Sequence, residues 1–368
     1  MSEVGRQKTE AKKIKKHKIG FKSMNNCLYW KFFLLTPDFG LPSNKIKVSI
    51  KRAVEPNNKM NNKISDRIVC AFLYSITKYG YPPKASKTLT FIDEMVELGF
   101  SAIELEGIRE DHLLEVYEIR KSIAQKIKDE NLSVPYFCAV LPGLASSDEK
   151  IRNEQLELFE KACEIAASFG SLGILDNAPL PPFQFPEDIP IVRHYDEDVL
   201  NAAFLPRDLS WTHYWDQLVD TYRTACAIAK NYDLNYVMHP AVGVLSSTTD
   251  GFLHFHDAVK MDNLRFNLDT ANQFVMKENL SLAMRRLKDH VDYIHVSDNG
   301  GLKVEHLAIG SGKIRWDVFF ETLDVIGFQG HIGIDIGGSE SAVEDLDSAY
   351  IEAAAYISKY WKVGKSNI

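Results

Sequence analysis

Four short apolar runs of the sequence each end in a side chain that can bind a divalent metal ion. They are Asn235-Tyr-Val-Met-His239, Arg265-Phe-Asn-Leu-Asp269, Asp292-Tyr-Ile-His295 and His331-Ile-Gly-Ile-Asp335. Each run has the length and apolar content of a buried strand, and each ligand stands where that strand would stop. Two imidazoles and two carboxylates that converge would form a metal site. Such a mixed set suits Mn²⁺, our first expectation, or Zn²⁺, Co²⁺ or Fe²⁺, whereas Mg²⁺ and Ca²⁺ prefer oxygen ligands alone.

From Arg67 onward, strand-like and helix-like segments alternate eight times, which is typical of βα units and a parallel sheet. The predicted strands cover residues 68–74, 101–106, 134–141, 172–175, 235–238, 264–268, 293–296 and 332–336. The predicted helices cover residues 89–98, 109–129, 146–170, 211–230, 252–260, 280–288, 316–326 and 342–361. Ser146 with Glu149 fits a capping box that opens the third helix, and Gly170 fits its C-terminal stop.

Eight strands and eight helices predict an α/β fold, a (β/α)8 TIM barrel over residues 67–368. The competing open, doubly wound sheet would carry a Gly-rich phosphate turn after its first strand, and the sequence has none there. In a barrel, the loops that follow the strands all open on one face. We therefore expect His239, Asp269, His295 and Asp335 to meet on that face.

Composition limits the classes of protein to which this chain can belong. It has 368 residues, of which 45% are hydrophobic and 25% charged, and it has no apolar run long enough to span a membrane. Its five cysteines are scattered, without a Cys-x-x-Cys pair, and favour buried free thiols over disulfides or a zinc ribbon. The sequence therefore predicts a cytoplasmic enzyme or binding protein without a membrane partner.

Residues 1–66 differ in charge from the rest of the chain. They hold 15 Lys and Arg against 5 Asp and Glu, whereas the remainder holds 28 against 45. A basic arm is compatible with binding nucleic acid or anionic lipid, or with a solvated tail. We interpret the segment as a poorly ordered N-terminal extension or linker and assign it no function.

Three segments of the late strands resemble a known family. They are Phe266-Asn-Leu-Asp-Thr-Ala-Asn272, Tyr293-Ile-His-Val-Ser-Asp298 and His306-Leu-Ala-Ile-Gly-Ser-Gly312. They are similar to the sugar phosphate isomerase/epimerase superfamily of xylose isomerase-like TIM barrels, which includes ketose 3-epimerases and inosose dehydratases. The resemblance covers about residues 68–361. It implies a metal held by a Glu, an Asp, a His and a second Glu from strands five to eight, which by position become His239, Asp269, His295 and Asp335.

The chain departs from that family pattern at three positions. His239 replaces the first Glu, Asp335 replaces the second, and Asn272 stands where the family usually has His. The epimerases that this chain resembles use both Glu ligands as opposed acid and base groups. Here we expect Asp335 to act as a base, and His239 to do so only while it is not fully bound to metal. One-sided proton abstraction suits dehydration, β-elimination or isomerisation at least as well as epimerisation.

Other polar residues on the same face are candidate substrate contacts. They are Glu106, Asp176, Asn272, Asp298 and His306. Glu104 and Glu106 both lie on the second strand. We expect only one of them to face the barrel interior, namely Glu106 because it is nearer the strand end, and a solvated or capping role for Glu104.

A proline-rich segment over residues 177–210 follows the fourth strand. It holds Arg193, His194 and Arg207, and six prolines exclude long regular elements. A long loop on the catalytic face is compatible with a lid over a substrate. It is equally compatible with a structural insertion that covers the barrel rim.

The leading functional hypothesis is a divalent-metal-dependent isomerase or epimerase that forms an enediolate from a sugar, keto-sugar or cyclitol. The alternative is a metal-dependent lyase or dehydratase of a keto-sugar, similar to inosose dehydratase or to a 3-keto-glycoside β-eliminase. A non-catalytic sugar-binding barrel is a further alternative. A related branch of DNA repair endonucleases needs more His and Glu ligands and a basic surface, so we expect no nucleic acid partner. The absence of a basic phosphate clamp favours an unphosphorylated substrate, and a homo-oligomer is compatible with the sequence.

Overall fold

A computed structural model describes residues 64–186 and 197–362, and within them one parallel sheet forms the centre of the fold. Its strands are β1 (Ile68–Cys70), β2 (Ala102–Ile103), β3 (Leu105–Ile108), β4 (Tyr136–Val140), β5 (Gly173–Asn177), β6 (Asn235–His239), β7 (Leu264–Asp269), β8 (Tyr293–Val296) and β9 (His331–Ile334). The strand order is β2-β1-β9-β8-β7-β6-β5-β4-β3, and every pair is parallel.

The sheet closes into a barrel through Glu104, the residue that separates β2 from β3. The two strands are the halves of the predicted second strand: β2 pairs with β1, and β3 pairs with β4. The backbone N–H of Glu104 donates to the carbonyl of Cys70 at 2.9 Å, so the chain continues along the β1 edge between the two halves. The predicted (β/α)8 barrel is confirmed.

Helices alternate with the strands. They are α1 (Leu73–Tyr79), α2 (Thr88–Glu97), α3 (Arg109–Asp129), α4 (Glu149–Phe169), α5 (Glu197–Ala202), α6 (Trp211–Asn231), α7 (Thr249–Val259), α8 (Thr270–Val275), α9 (Leu280–Leu287), α10 (Trp316–Ile326) and α11 (Leu346–Tyr360). All eight predicted helices begin within four residues of the predicted start, because each has an apolar stripe at helical spacing that packs on the barrel. Gly170 ends α4 in the left-handed conformation, as expected.

Several predicted boundaries differ from the structure by a few residues, and two of the differences have a clear local cause. The first strand was expected to continue to Tyr74, but β1 ends at Cys70 and α1 follows, so that Leu73 and Tyr74 lie in a helix. The N-cap of α4 is Asp148 rather than Ser146, because the Asp148 carboxylate accepts the backbone N–H of Lys150 at 2.8 Å. At the first boundary, the apolar residues Leu73 and Tyr74 suit a strand as well as a helix. At the second, Ser146 and Asp148 are both cap-forming residues, and the sequence does not show which of them caps α4.

The barrel interior beneath the strand ends is filled by aromatic rings. Tyr136 and Tyr293 stack with their ring centroids 4.2 Å apart. Gly333 on β9 leaves room for this layer, since a Cβ at that position would contact the Tyr293 hydroxyl and the ring of His295. These rings form a packed floor for the groups at the carboxyl ends of the strands.

The proline-rich segment after β5 runs back over the barrel rim where it is described. Gln184 pairs with Phe204 in an antiparallel bridge, and Leu200 of α5 lies against Gly243 in the loop after β6. Arg207 is exposed. Arg193 and His194 lie outside the described residues. This placement is compatible with both expectations for the segment, a lid or a structural cover.

The predicted N-terminal extension lies almost entirely outside the described residues, as does Cys27. The other four cysteines are buried free thiols, in agreement with the sequence. Within residues 64–186 and 197–362, no helix is long and apolar enough to cross a membrane.

Candidate metal centre

The four predicted metal ligands meet at the carboxyl ends of neighbouring strands. Register pairs Asp269 of β7 with His295 of β8, which places them side by side. His239 Nε2 lies 3.7 Å from Asp269 Oδ2, and His295 Nδ1 lies 3.8 Å from Asp335 Oδ2. His239 is half-buried and the other three are buried. The barrel therefore gathers on one face the side chains that the sequence predicted for a metal site.

His306 joins this group from the loop after β8. Its Nε2 lies 3.7 Å from Asp269 Oδ2 and 3.6 Å from Asp335 Oδ2, and its side chain is 1% exposed. The sequence predicted a substrate contact for this residue. The structure instead places its ring between the two carboxylates of the candidate metal centre, where Asp269, His306 and Asp335 form a second ligand triplet beside His239, Asp269 and His295.

Asp269 is oriented by the helix that follows it. Its Oδ1 accepts the backbone N–H of Asn272 at 2.8 Å and so caps α8. Its Oδ2 is buried and has no hydrogen-bond partner among the described residues. Burial alone would raise the pKa of this carboxyl, but His306, His239 and His295 outweigh it and hold the pKa below its usual range. One oxygen thus fixes the side chain, and the other is directed at the histidines.

His295 is oriented by a buried carboxylate behind it. Its Nε2 lies 3.0 Å from Glu104 Oε2, which also accepts the hydroxyl of Tyr293 at 2.9 Å, while Glu104 Oε1 accepts the Phe72 N–H at 3.2 Å. Burial disfavours the imidazolium, but Glu104 and Asp335 outweigh it and raise the pKa of His295 to about 9. The inner nitrogen, Nδ1, has no hydrogen-bond partner among residues 64–186 and 197–362.

His239 is held in the same manner by an amide. Its Nδ1 lies 3.1 Å from Asn267 Oδ1, so Nδ1 carries the proton and Nε2 presents its lone pair toward Asp269. Burial lowers the pKa of His239, against the opposing charge of Asp269. A neutral imidazole with one nitrogen bonded to the protein is the usual state of a metal-binding histidine.

The arrangement fits a divalent cation. Two ligand atoms bound to one ion at about 2.0–2.2 Å lie roughly 3.0–3.5 Å apart, close to the 3.6–3.8 Å separations found here. Burying the unpartnered Asp269 Oδ2 and His295 Nδ1 without a compensating group would be costly. A cation between them satisfies both, and the nitrogen and oxygen donors suit a transition metal.

A cavity opens above the candidate metal centre. Its empty volume is ≈ 660 Å³, part of which is open solvent. Its polar lining consists of Glu106, Asn177, His239, Asn272, His295 and Asp335. Apolar side chains of β4, β5 and α1, such as Val140, Leu175 and Ile76, form much of the remaining wall. The cavity therefore presents a few polar groups on an apolar surface, as binding sites for small molecules do.

The expectation that Glu104 faces away from the interior is wrong. Residues two positions apart in a strand share one face, so Glu104 and Glu106 both point inward. Glu104 contacts His295, and Glu106 lines the cavity. The spacing of two could have identified Glu104 from the sequence alone. Asn267, which contacts His239, has the same spacing of two from Asp269 on β7, whereas no comparable signal marks Glu340, which contacts His306 from another segment.

Three of the predicted substrate contacts are bonded to the protein. Asp176 accepts the N–H groups of Leu141 and Asn177 and the Tyr236 hydroxyl, away from the metal centre. Asn272 lines the cavity and donates its amide N–H to the Pro240 carbonyl at 3.1 Å.

Asp298 has four hydrogen bonds within its own loop. The donors are the backbone N–H groups of Asn299, Gly310 and Ile314 and the indole N–H of Trp316. A Cβ at Gly312 would contact the Asp298 carboxylate, so the Gly-x-Gly motif allows the loop to close around this residue. Asp298 thus shapes the loop that carries His306.

A family model described as xylose isomerase-like TIM barrel matches residues 92–360. Among curated proteins, an uncharacterized protein from Methanocaldococcus jannaschii is 25% identical over 158 residues, which cover 40% of this chain. The match spans 53% of that relative, about half its length.

Solved structures share the fold at low sequence identity. The 3-keto-D-glucoside 4-epimerase of E. coli is 18% identical and has a TM-score of 0.61 over 80% of this chain and 99% of its own. An L-ribulose 3-epimerase is 17% identical, with a TM-score of 0.60 over 80% and 93%. The IOLI protein, solved with a bound zinc atom, is 16% identical, with a TM-score of 0.59 over 80% and 99%.

Proposed function

The chain belongs to the xylose isomerase-like TIM barrel family, and from this premise we propose that it is a divalent-metal-dependent isomerase or epimerase of a sugar, keto-sugar or cyclitol. One observation carries the proposal. Histidines and aspartates from successive strand ends converge at a cavity, and two of their atoms, Asp269 Oδ2 and His295 Nδ1, are buried with no hydrogen-bond partner among the described residues.

His239, Asp269, His295 and Asp335 would hold the ion in this proposal. A divalent ion supplies Lewis acidity, which polarises a substrate carbonyl and stabilises the negative charge of an enediolate. The protein contributes orientation: Glu104 and Asn267 each hold the outer nitrogen of one histidine, and Asp269 is fixed by its cap on α8.

Proton transfer is assigned to Asp335. Its side chain lines the cavity directly after β9, on the same side as the candidate metal centre. An ionised carboxylate there can remove the proton next to a carbonyl and return it to a neighbouring carbon or to the same carbon. His239 can accept a proton only while its Nε2 is not bound to metal, because its Nδ1 already donates to Asn267.

A metal-dependent lyase or dehydratase is the second candidate. The epimerases that this chain resembles carry a glutamate at each of two strand ends. This chain has His239 at one of these positions and Asp335 at the other. With one carboxylate instead of two, proton removal from one side is retained and reprotonation from the opposite side is weakened. That asymmetry favours loss of a leaving group β to the carbonyl over inversion of the carbon.

The lining of the cavity supports an unphosphorylated substrate. Glu106 and Asp335 bring negative charge to it, and among the described residues that line it there is no lysine or arginine. A phosphate bound there would meet repulsion without a bidentate or point-charge partner.

NMR of keto-sugars incubated with the protein and Mn²⁺, Zn²⁺ or Co²⁺ in D₂O tests the proposal. Deuterium incorporation next to the carbonyl without loss of a group supports isomerisation or epimerisation, and loss of a group supports the lyase. Asp335→Asn should abolish either reaction, while Asp257→Asn, an exposed change on α7, should not. If the purified protein retains no ion and no added ion raises its melting temperature, both candidates are refuted.

A further inference from the structure

We propose that His306 is a fifth protein ligand of the same metal ion and that Glu340 is the residue that positions it. This inference rests on the proposed metal site and extends it. The ligand set would then contain three imidazoles, from His239, His295 and His306, and two carboxylates, from Asp269 and Asp335.

On the side of Asp269 and Asp335, the distances from His306 Nε2 are close to those between two ligands of one ion. Its Nε2 lies 3.7 Å from Asp269 Oδ2 and 3.6 Å from Asp335 Oδ2, both too long for a direct hydrogen bond. On the other side of the ring, Nδ1 lies 3.3 Å from Glu340 Oε1. A proton on Nδ1 serves Glu340 and leaves the lone pair of Nε2 facing two carboxylate oxygens. These three atoms would repel one another unless a proton or a metal ion lies between them, and we assign a metal ion to that position.

The same design recurs at all three histidines. Asn267 accepts from His239, Glu104 accepts from His295, and Glu340 accepts from His306, so each ring has one nitrogen bonded to the protein and one turned inward. If His306 only contacted a substrate, its ring would not need the same arrangement as the rings of His239 and His295. The three rings have the same polarity, and their ligand atoms form two groups that share Asp269, one of His239, Asp269 and His295 and the other of Asp269, His306 and Asp335. The proposal places one ion between these two groups.

The backbone around His306 is held by neighbouring loops. Gly337 donates its N–H to the His306 carbonyl at 3.1 Å, and Asp298 and Leu307 exchange backbone hydrogen bonds of 2.8 and 2.9 Å. Glu340 lies in a 3₁₀ turn, Ser339–Ser341, which begins two residues after Gly337. Such support from two loops is what a metal ligand requires and a mobile substrate contact does not.

A fifth ligand changes the expected chemistry of the site. Three nitrogen donors favour Zn²⁺, Co²⁺ or Fe²⁺ over Mn²⁺ more strongly than two do, so the first expectation of Mn²⁺ shifts toward these ions. Five protein donors would leave fewer positions on the ion for substrate oxygens than four would, so the protein would have to hold more of the substrate itself.

Paramagnetic proton NMR of the Co²⁺-loaded full-length protein tests the proposal without measuring activity. Each Co²⁺-bound histidine gives one strongly shifted, exchangeable N–H signal from its outer nitrogen. The proposal expects three such signals in the wild type, from His239 Nδ1–H, His295 Nε2–H and His306 Nδ1–H. His306→Gln should leave two, and the matched control His254→Gln, an exposed change on α7, should leave three.

The possible outcomes separate this inference from the proposed function. Two signals in the wild type, or an unchanged count in His306→Gln, would overturn the fifth ligand and leave the four-ligand site standing. Absence of retained Co²⁺ and of shifted signals would overturn the metal site itself and this inference with it. The wild-type count decides the question even if His306→Gln does not fold.

Glu340→Gln tests the positioning residue. It should keep three signals and weaken Co²⁺ affinity about 10- to 100-fold, since residues that orient metal ligands have effects of this size. An affinity equal to that of the wild type would show that Glu340 does not position His306.

Discussion

Replacing Glu104 by Gln should switch the tautomer of His295 and thereby weaken metal binding. In the wild type, Glu104 Oε2 accepts from both His295 Nε2 and the Tyr293 hydroxyl, so the proton of the neutral imidazole sits on Nε2. The amide of Gln keeps one oxygen for the Phe72 N–H and presents an NH₂ group to His295. That group donates to Nε2 and moves the ring proton to Nδ1, the atom that faces the candidate metal centre.

The structure sets the size of two effects. For the metal-bound state, loss of a buried orienting carboxylate should cost about 10- to 100-fold in metal affinity, or ~1.4–2.7 kcal/mol. For the metal-free state, the pKa of His295 rises from 6.5 to about 9, which corresponds to at most ~3 kcal/mol of stability. Because this pKa is raised on folding, the contribution is fully present below pH 6.5 and is lost as pH rises through about 9.

Two measurements check these values. Competition with a chromophoric chelator at pH 7 reports Zn²⁺ or Co²⁺ affinity, and urea unfolding of the metal-free protein at pH 6.5 and pH 9.5 reports stability. Glu106→Gln is the matched control, since it makes the same chemical change two residues away on the same face of the strand. It should leave metal affinity unchanged, whatever its effect on turnover.

Wild-type affinity in Glu104→Gln would refute the assignment of Glu104 as the residue that orients His295. A stability loss that is equal at pH 6.5 and pH 9.5 would refute the ion pair in the metal-free state. A loss of affinity in Glu106→Gln as large as in Glu104→Gln would show that general charge, not the contact with His295, is responsible.

Three further changes test separate parts of the structure. Asp269→Asn should abolish metal retention, measured by elemental analysis, while circular dichroism stays native, because the amide oxygen can still cap α8. Burial raises the pKa of Asp176 to about 7, so its contribution to stability falls as pH rises from about 4 to about 7. Asp176→Asn should remove that slope and unfold at higher urea concentration than the wild type at pH 8, and equal slopes would contradict it. Gly333→Ala should lower stability by about 1–3 kcal/mol, because the added methyl group would contact Tyr293 and His295. Gly310→Ala is the comparison: its added methyl group would meet open space, so any loss of stability there comes from the positive φ of the backbone and not from a contact. Equal stability of Gly333→Ala and the wild type would refute the close packing of the floor.

The barrel strands were predictable because their signal is local. A run of apolar residues that ends at a polar residue marks both a buried strand and the point where it meets solvent. That signal also identified His239, Asp269, His295 and Asp335, since ligands at the carboxyl ends of parallel strands share one face. The boundaries failed where local signals compete, as at Leu73 and Tyr74, which suit a strand but lie in a helix once β1 ends.

The sequence by itself determined the fold class, the order of the strands along the chain and the four side chains that end them. Only the tertiary structure decided which side chains support these four. Glu104 reaches His295 across 191 residues of chain, and His306 joins Asp269 and Asp335 through a loop folded around Asp298. The physical reason is that strands and their ends follow from local hydrophobic patterning. The orientation of a buried polar group depends instead on partners that closure of the barrel brings within hydrogen-bonding distance.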